Sequence, residues 1–225
     1  MIKKMIRKVD GVSYARILVK THQIVFGEDL FPVLKKYAFP KLQPGDWVAV
    51  SEKVVSVCQN NVRHLSTVRA NWLAKLIVKG VKKYPNDIGF SRPEKMQVAV
   101  ERAGYPRIIL AMILGSIGKL FGLRGIFWIV AGHRISEIDG FNPAAMYPYP
   151  EYVMLPPEEP NKVVQELEEK LGYPVAMVDG TNVNVEVIAQ SSGIKLDRKT
   201  VQRILLDNPQ GQGPELTPFI IVREV

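Results

Sequence analysis

The sequence predicts an α+β fold built on a mixed β-sheet. Short β-branched and apolar runs, typical of strands, occur near the start, in the middle and at the end of the chain. Amphipathic segments with helical spacing lie between them, and the two kinds of element alternate without a regular βαβ repeat. The chain has 225 residues, of which 47% are hydrophobic and 23% charged, so we expect it to be folded throughout.

The first third of the chain predicts strand, helix and strand. The run "YARILVKTHQIV" alternates as a strand does and is expected to end near Thr21 and His22. "GEDLFPVLKKYA" has the spacing of a short amphipathic helix. A Pro-Gly-Asp turn then leads into a buried strand, Trp47 to Val50, and a further apolar run, Val54 to Cys58.

The middle of the chain is mostly helical in pattern. We expect helices over Thr67 to Tyr84 and Glu94 to Ala103, joined by a loop with prolines and glycine. Periodicity alone does not assign the apolar run Ile108 to Gly132, but its end, "GIFWIVAG", is most simply a buried strand. Its most membrane-like part, Ile108 to Val130, is interrupted by two cations and four glycines, so it falls short of a clean membrane span of about 20 apolar residues.

The last third predicts a long functional loop followed by alternating elements. The proline-rich segment 142–160 is too long for a simple connection between two elements. The expected elements after it are a helix Asn161 to Leu171 with Asn161 as N-cap, a strand "YPVAMVD", a polar helix Arg198 to Leu206, the loop "DNPQGQGPEL" and a final strand "TPFIIVREV". The domain prediction is one unit over residues 1–225, with residues 67–160 as a second subdomain if it divides.

The net charge and the cysteine content limit the possible partners and cellular location of the protein. The net charge of +8 and pI near 9.5 suggest an anionic partner: nucleotide phosphates, an acidic substrate or nucleic acid. Nucleic acid is the least favoured, because the basic residues form no arginine-rich arm and no RNA-binding signature. The lone Cys58 forms no intrachain disulfide and is interpreted as a buried filler. The N-terminus lacks a secretory pattern, so we expect a cytoplasmic protein without a membrane partner.

The motif Asp-Gly-x-Asn occurs twice, beginning at Asp139 and at Asp179. Each copy taken alone is a turn, since glycine accepts positive φ and Asp and Asn bond nearby backbone. Each copy also follows a predicted apolar strand, where a rigid scaffold projects polar groups. Oxygen ligands of this type suit Mg²⁺ or Mn²⁺. Two ordinary turns and one shared metal site both remain open at this stage.

Other motifs are weaker. "GSIGKLFGLRG" lacks the spacing of a phosphate-binding loop, so close packing explains its glycines better. His22, His64 and His133 are far apart in sequence, with no serine elbow or Cys-His pair that would indicate a hydrolase. His22 and His133 lie at predicted strand ends and could face a crevice. Gln212 lies between two glycines, which would let the backbone approach a ligand closely.

The order of these motifs resembles the coenzyme F420-0:gamma-glutamyl ligase family, whose members add glutamate to a deazaflavin coenzyme using GTP. "GEDLFPVL" and "LQPGDWVAVSEKVVSVCQN" are similar to the opening of that family. "GIFWIVAGHRISEIDGFNP" lies where the family has a strand ending in Asp-x-x-Asn. "VMLPPEEPNKVVQELEEKLGYPVAMVDGTN" and "NPQGQGPELTPFIIV" resemble its Leu-Pro, Asp-Thr and closing-loop segments.

The resemblance implies an F420 ligase-like fold, a site and partners. The implied metal ligands, for a site of two Mg²⁺ or Mn²⁺ ions, are Asp139, Asp179, Thr181 and Gln212. The implied nucleotide-binding residues are Thr21, His22, Gln23, Ile24, Ser51, Glu52, Asn142, Gly211, Gly213 and Glu215. It also implies GTP as co-substrate, L-glutamate and a small anionic carboxylate as substrates, and a homodimer.

Two functions follow from the resemblance and its departures. A family lysine is Val57 here, a family glycine and arginine are Asn182 and Val183, and an Ala-Asn-Ala-Gly stretch is replaced by "HRISE". The first hypothesis is a ligase that activates a carboxylate as an acyl phosphate for amide formation with glutamate. The second is a diverged binding protein of the same fold that retains metal, nucleotide or an anionic metabolite.

Overall fold

The computed structural model describes residues 5–81, 90–132, 135, 137–141, 147–181, 184–211 and 215–225. The chain folds as two compact units. The first unit is formed by Met1–Asn61 with Pro157–Val225, and the second unit by Val62–Pro156.

Strands and helices together confirm the predicted α+β class. The strands in the described residues are β1 (Ile6–Val9), β2 (Val12–Val19), β3 (Trp47–Ser51), β4 (Val62–His64), β5 (Asp139–Gly140), β6 (Tyr152–Met154), β7 (Val175–Gly180), β8 (Val185–Gln190) and β9 (Phe219–Glu224). The α-helices there are α1 (Leu30–Tyr37), α2 (Glu52–Cys58), α3 (Trp72–Lys79), α4 (Pro93–Ala103), α5 (Tyr105–Leu120), α6 (Ile126–Ala131), α7 (Pro160–Leu171) and α8 (Arg198–Leu205).

The first unit is built on a six-stranded mixed sheet in the order β1-β2-β9-β3-β7-β8. Neighbouring strands are antiparallel except β3 and β7, which are parallel. The central strands read as continuous apolar runs because both faces of the sheet are covered. Trp47 and Ala49 of β3 pack toward Val201 and Ile204 of α8, whereas the alternate residues face the side on which α2 and α7 contact the sheet.

A buried ion pair joins β2 to the segment after α8. The guanidinium of Arg16 is fully buried and pairs with the carboxylate of Asp207, with its Nη2 3.0 Å from Oδ2. Arg7 donates a further hydrogen bond to the same carboxylate at 3.0 Å. Burial pushes the pKa of Asp207 up, but the hydrogen bond and charge of Arg16, aided by Arg7, outweigh it and hold that pKa below its usual value.

In the described residues, the second unit combines a small antiparallel sheet with the helices α3, α4, α5 and α6. Its strand order is β4-β6-β5, and its core is formed by α3, α4, α5 and α6 together with this sheet. The glycines of α5 permit close helix packing, because a Cβ at Gly118 would lie 2.8 Å from Cγ1 of Ile126. This supports the packing explanation of the glycine-rich stretch.

Some local predictions were wrong. "GIFWIVAG" forms the helix α6 instead of a buried strand, and it is bounded by Gly125 and Gly132, both at positive φ. The helix predicted from Asn161 begins at Pro160 with Glu159 as its N-cap residue, because proline at the first helical position has a suitable fixed φ.

Other predictions were close in position but different in extent. The helix expected over Thr67 to Tyr84 is the shorter α3, preceded by a 3-10 turn over Leu65–Thr67. The apolar run Val54 to Cys58 lies in α2. No single described helix is long and apolar enough to cross a membrane. Helices α4 and α5 meet that requirement only as a pair, and the pair is bent by 114°.

Candidate functional site

Four chain segments meet at one edge of the six-stranded sheet. Strands β3 and β7 are parallel, with Ser51 opposite Val178, so both end at this edge. Strand β2 ends there and β9 begins there, because Val19 pairs with Phe219 in the antiparallel ladder. We call this edge the site edge. The ends of open α/β sheets are common places for ligand-binding loops.

The site edge brings together the described nucleotide-binding and metal-ligand predictions of the first unit. These residues are Thr21, His22, Gln23, Ile24, Ser51, Glu52, Asp179, Thr181, Gly211 and Glu215. They come from separate parts of the sequence, so the fold supplies the proximity that a single site requires.

Backbone hydrogen bonds tie these segments to one another. The amide of Thr21 donates to the carbonyl of Leu216 at 2.8 Å, and the amide of Ser51 donates to Pro218 at 3.0 Å. Gln210, which sequence reasoning did not select, is nearly buried and donates from Nε2 to the Pro218 carbonyl at 2.6 Å. Thr217 donates from Oγ1 to the Gln210 carbonyl at 2.7 Å. The segment before β9 is therefore fixed against β2 and β3.

Gly180 permits a close approach at the end of β7. A Cβ on Gly180 would lie 2.5 Å from Oδ1 of Asn208, so only glycine fits there without a shift. Gly140 has a different role: its φ is 122°, and a Cβ would lie 2.4 Å from the Tyr152 carbonyl oxygen. The two Asp-Gly motifs are thus alike in sequence but different in conformation, since Gly140 has a positive φ whereas Gly180 is the last residue of the six-residue strand β7.

Asp179 faces a second carboxylate. In the register of β7 and β8, Asp179 pairs with Glu186. Cross-strand partners project to the same face with Cβ atoms roughly 5 Å apart, and like charges in that arrangement are unfavourable without a compensating cation or proton. Sequence reasoning missed Glu186, because only the strand register relates it to Asp179.

Thr181 begins the turn between β7 and β8. Its Oγ1 donates to the carbonyl of Asn184 at 3.1 Å and accepts from the Asn184 amide at 3.0 Å. Its own amide also donates to that carbonyl, at 2.7 Å. The hydroxyl therefore stabilises this turn, and its assignment as a metal ligand stays a prediction.

His22 is fixed by two neighbours. Its Nδ1 lies 3.1 Å from the Tyr37 hydroxyl and its Nε2 lies 2.8 Å from Oε1 of Glu28. Glu28 also accepts from the amide of Val25 through Oε2 at 3.0 Å, and the Thr21 hydroxyl donates to the His22 carbonyl at 2.8 Å. These contacts hold the segment after β2 in one conformation. Glu28 and Tyr37 carried no sequence signal for this.

The segment after β3 is helical and offers no thiolate. Glu52, the first residue of α2, is 4% exposed. Burial, followed by the nearby charges of Glu28 and Asp29, raises the pKa of Cys58 at the end of this helix to about 12. A thiol with that pKa is protonated at neutral pH, so Cys58 is unsuited to nucleophilic catalysis.

Asp139 lies in the second unit, on β5. Its Oδ1 accepts from the Gly140 amide at 2.8 Å and lies 3.8 Å from Nζ of Lys95. Lys95 itself is 5% exposed and lies over the ring of Phe90 at 4.8 Å. Lys95 was not selected from the sequence. The carboxylate of Asp139 thus has a buried cation beside it.

Several predicted site residues lie outside the described residues. They are Asn142, Gln212, Gly213 and His133. Among the residues that the structure describes, no group of three or more His, Cys, Asp or Glu side chains could hold a metal ion. Asp139 and Asp179 belong to different units, so a metal cluster shared by them stays a prediction.

Comparison with known proteins gives one family. The family model described as F420-0:gamma-glutamyl ligase matches residues 18–202. The match begins at the last two residues of β2 and ends within α8, and it therefore includes Thr21 to Ile24, Ser51, Glu52, Asp139 and Asp179. No curated protein matches the chain.

Proposed function

Because the chain belongs to the F420-0:gamma-glutamyl ligase family, we propose that it is a GTP- and divalent-metal-dependent ligase that joins L-glutamate to a substrate carboxylate. The proposed acceptor is a deazaflavin precursor of coenzyme F420. The observation that carries the proposal is the site edge, where the segments that resemble the nucleotide loops of the family are hydrogen-bonded together.

The site edge supports nucleotide binding through its rigidity. Backbone hydrogen bonds join Thr21 to Leu216 and Ser51 to Pro218, so the loops need little ordering when a ligand binds. In the proposal, the residues from Thr21 to Ile24, Ser51 with Glu52, and Gly211 to Glu215 surround the nucleotide. Asn142 and Gly213 belong to the same proposed set.

The donor chemistry fits Mg²⁺ or Mn²⁺. The proposed ligands are Asp139, Asp179, Thr181 and Gln212, which all offer oxygen atoms. Glu186 strengthens the fit, because the carboxylate pair that it forms with Asp179 favours a cation nearby. A bound divalent cation supplies charge neutralisation of the nucleotide phosphates and of the phosphoryl group in transit.

The proposed reaction needs no protein nucleophile. The carboxylate oxygen of the acceptor attacks the terminal phosphorus of GTP, releasing GDP and forming an acyl phosphate. The amine of glutamate then attacks the acyl carbon, inorganic phosphate leaves, and the amine proton is lost to solvent. In this scheme the chain positions its substrates and stabilises charge, which agrees with the protonated state of Cys58.

The second candidate function is a binding protein without ligase activity. The observation that favours it is Val57, which occupies the place of a family lysine and is 3% exposed within α2. A buried valine offers no charge-assisted hydrogen bond to a phosphate. In this alternative the site edge binds metal, nucleotide or an anionic metabolite and catalyses no ligation.

Binding and turnover together separate the two functions. The first measurement is the thermal stability of the full chain with Mn²⁺ and GTP, for the natural protein and for Asp179→Asn. Both functions predict stabilisation that Asp179→Asn removes, since a ligand at about 100 times its Kd contributes roughly 2.7 kcal/mol. Asp10→Asn is the matched control, because Asp10 pairs with Arg203 away from the site edge.

Phosphate release is the second measurement. Release of inorganic phosphate that requires GTP, Mn²⁺, glutamate and the precursor together supports the ligase. If the protein binds Mn²⁺ and nucleotide but releases no inorganic phosphate with any nucleotide, the result supports the binding protein. Absence of stabilisation by Mn²⁺ and GTP in the natural protein contradicts the ligase, and it leaves an anionic metabolite as the ligand of the binding protein.

The assembly and location are also proposals from the family. We propose a homodimer in the cytoplasm, and sedimentation of the full chain at several concentrations tests the dimer. Nonspecific nucleic-acid binding, suggested by the net charge of +8, predicts an affinity that falls steeply with salt.

A further inference from the structure

Helix α5 has its larger apolar side chains on the outside. It buries Ile108, Ala111, Gly115 and Gly118, three of which are small. At about 100° per residue, the residues opposite them form one continuous stripe along the helix. The exposed apolar residues of this stripe are Ile109, Leu110, Ile113, Leu114, Ile117, Leu120 and Phe121.

Two further apolar side chains are exposed after α5. Leu123 in the following turn and Ile129 of α6 are 56% and 73% exposed. We call these two residues and the seven of the stripe the α5 face. Contiguous exposed apolar surface of this kind marks an interaction site, because it is costly to leave in water.

Helix α3 lies beside α5 and adds to the surface. The amide Nδ2 of Asn71 donates to the Tyr105 hydroxyl at 2.7 Å, and Nζ of Lys119 donates to the Gly80 carbonyl at 2.9 Å. These two contacts link both ends of α3 to both ends of α5. The exposed residues of α3 include Trp72 and Leu76.

The charged residues in the two chain segments that carry these exposed apolar side chains have one sign. Residues 102–132 contain Arg102, Arg107, Lys119 and Arg124 but no acidic residue, and residues 68–81 contain Arg69, Lys75 and Lys79 but none either. On the helical wheel of α5, Arg107 and Lys119 lie on the two margins between the buried face and the stripe. A second copy of this chain seated on the α5 face would bring like charges together, which is unfavourable.

We propose that the α5 face binds the surface of a membrane that contains anionic lipids. The apolar side chains enter the boundary between headgroups and acyl chains, while the basic side chains at the margins contact the headgroups. Helix α5 has 16 residues and is therefore about 24 Å long, shorter than a membrane core of about 30 Å. Together with the 114° bend from α4, this length is consistent with lying in the interface instead of spanning.

Vesicle flotation of the full chain tests the proposal. The probes are vesicles of phosphatidylcholine alone and vesicles that contain phosphatidylglycerol as well. We expect flotation with the anionic vesicles, weak flotation with the neutral ones, and loss at high salt. Absence of flotation with anionic vesicles at low salt overturns the proposal.

An apolar variant locates the binding surface. Ile113→Asp places a charge at the centre of the α5 face. We expect it to lower vesicle partitioning at least tenfold, because a charged side chain is unfavourable in the apolar part of the membrane boundary. Ile6→Asp is the matched control, because Ile6 is 58% exposed and belongs to the first unit. Equal partitioning of the two variants overturns the assignment to the α5 face. Circular dichroism confirms that each variant is folded.

A charge variant tests the basic margin. The double variant Lys119→Gln with Arg124→Gln is expected to reduce binding to anionic vesicles roughly thirtyfold. Lys162→Gln with Lys170→Gln, an equal charge change on α7, is the control. Sedimentation of the natural protein and of Ile113→Asp measures the oligomeric state. If the natural protein is a stable dimer that does not bind vesicles, and Ile113→Asp dissociates this dimer, a second copy covers the α5 face and the proposal is wrong.

Discussion

Nζ of Lys95 lies 3.8 Å from Oδ1 of Asp139, so a buried ammonium faces a proposed metal ligand. A cation that binds Asp139 must do so beside this positive charge. Two unit charges at such a distance interact by about 1 kcal/mol in water and about 4 kcal/mol at an effective dielectric constant of 20, and this attraction between Asp139 and Lys95 competes with metal binding. Lys95 is therefore expected to set the metal affinity of Asp139.

Lys95→Met is predicted to raise the affinity for Mn²⁺ at least fivefold, because it removes the competing charge while keeping most of the buried volume. Titration calorimetry of the full chain with Mn²⁺ measures the change. Lys162→Met is the matched control, since Lys162 is exposed on α7 and pairs with Glu159. An unchanged Kd for Mn²⁺ in Lys95→Met would contradict the proposal that Asp139 is a metal ligand.

Gly180→Ala is predicted to destabilise the site edge. The added Cβ would lie 2.5 Å from Oδ1 of Asn208, and overpacking of this kind costs about 1–3 kcal/mol. Urea unfolding measures the loss. The second variant Asn208→Gly removes the obstructing side chain and suits the φ of 44° at that position. The double variant should therefore recover part of the loss, and simple additivity would contradict the contact.

Asp207→Asn is predicted to lower the stability of the first unit by about 3 kcal/mol at neutral pH, because it leaves Arg16 as a buried uncompensated charge. Asp10→Asn breaks an exposed pair with Arg203 and should change stability little. Chemical denaturation at pH 7 compares the two variants.

The same pair predicts an acid dependence of stability. The folded-state pKa of Asp207 lies below its unfolded value of about 3.9, so its contribution is fully present above that value. The contribution is lost as the pH falls through the folded-state pKa. The melting temperature should therefore fall less steeply between pH 6 and pH 2 for Asp207→Asn than for the natural protein. Parallel curves would contradict the assignment.

Cys58→Ala is predicted to retain whatever activity the natural protein has, because burial keeps the thiol protonated. Alkylation by iodoacetamide at pH 8 should be slow in the folded chain and fast in urea. The reaction rate in the two states, followed by mass spectrometry, checks this. Rapid alkylation of the folded chain would show a reactive thiolate.

The order of strands and helices was largely predictable from the sequence, because the apolar runs of β3, β7 and β9 are short and bounded by turn residues. Helix α6 was not, because an apolar run of eight residues fits a strand or a helix and tertiary packing decides between them. Strands β1 and β8 were missed, since their pairing with β2 and β7 is what defines them.

The candidate site was predictable only in part. The family resemblance selected Asp139, Asp179 and the loops of the site edge, but it did not identify contacts made by the fold. Glu186 becomes relevant through its register opposite Asp179, and Lys95 through packing beside a residue 44 positions later in the chain. Neither has a local motif from which a contact between distant residues could be inferred.

Amide-bond formation driven by GTP is the activity that we propose for this chain. The most direct measurement is the mass of the acceptor after incubation of the full chain with deazaflavin precursor, glutamate, GTP and Mn²⁺. We expect a product that is heavier by one glutamyl residue, with one phosphate released per amide bond. The variant Asp179→Asn should form no such product. An acceptor of unchanged mass in the presence of demonstrated GTP and Mn²⁺ binding would contradict the proposed activity.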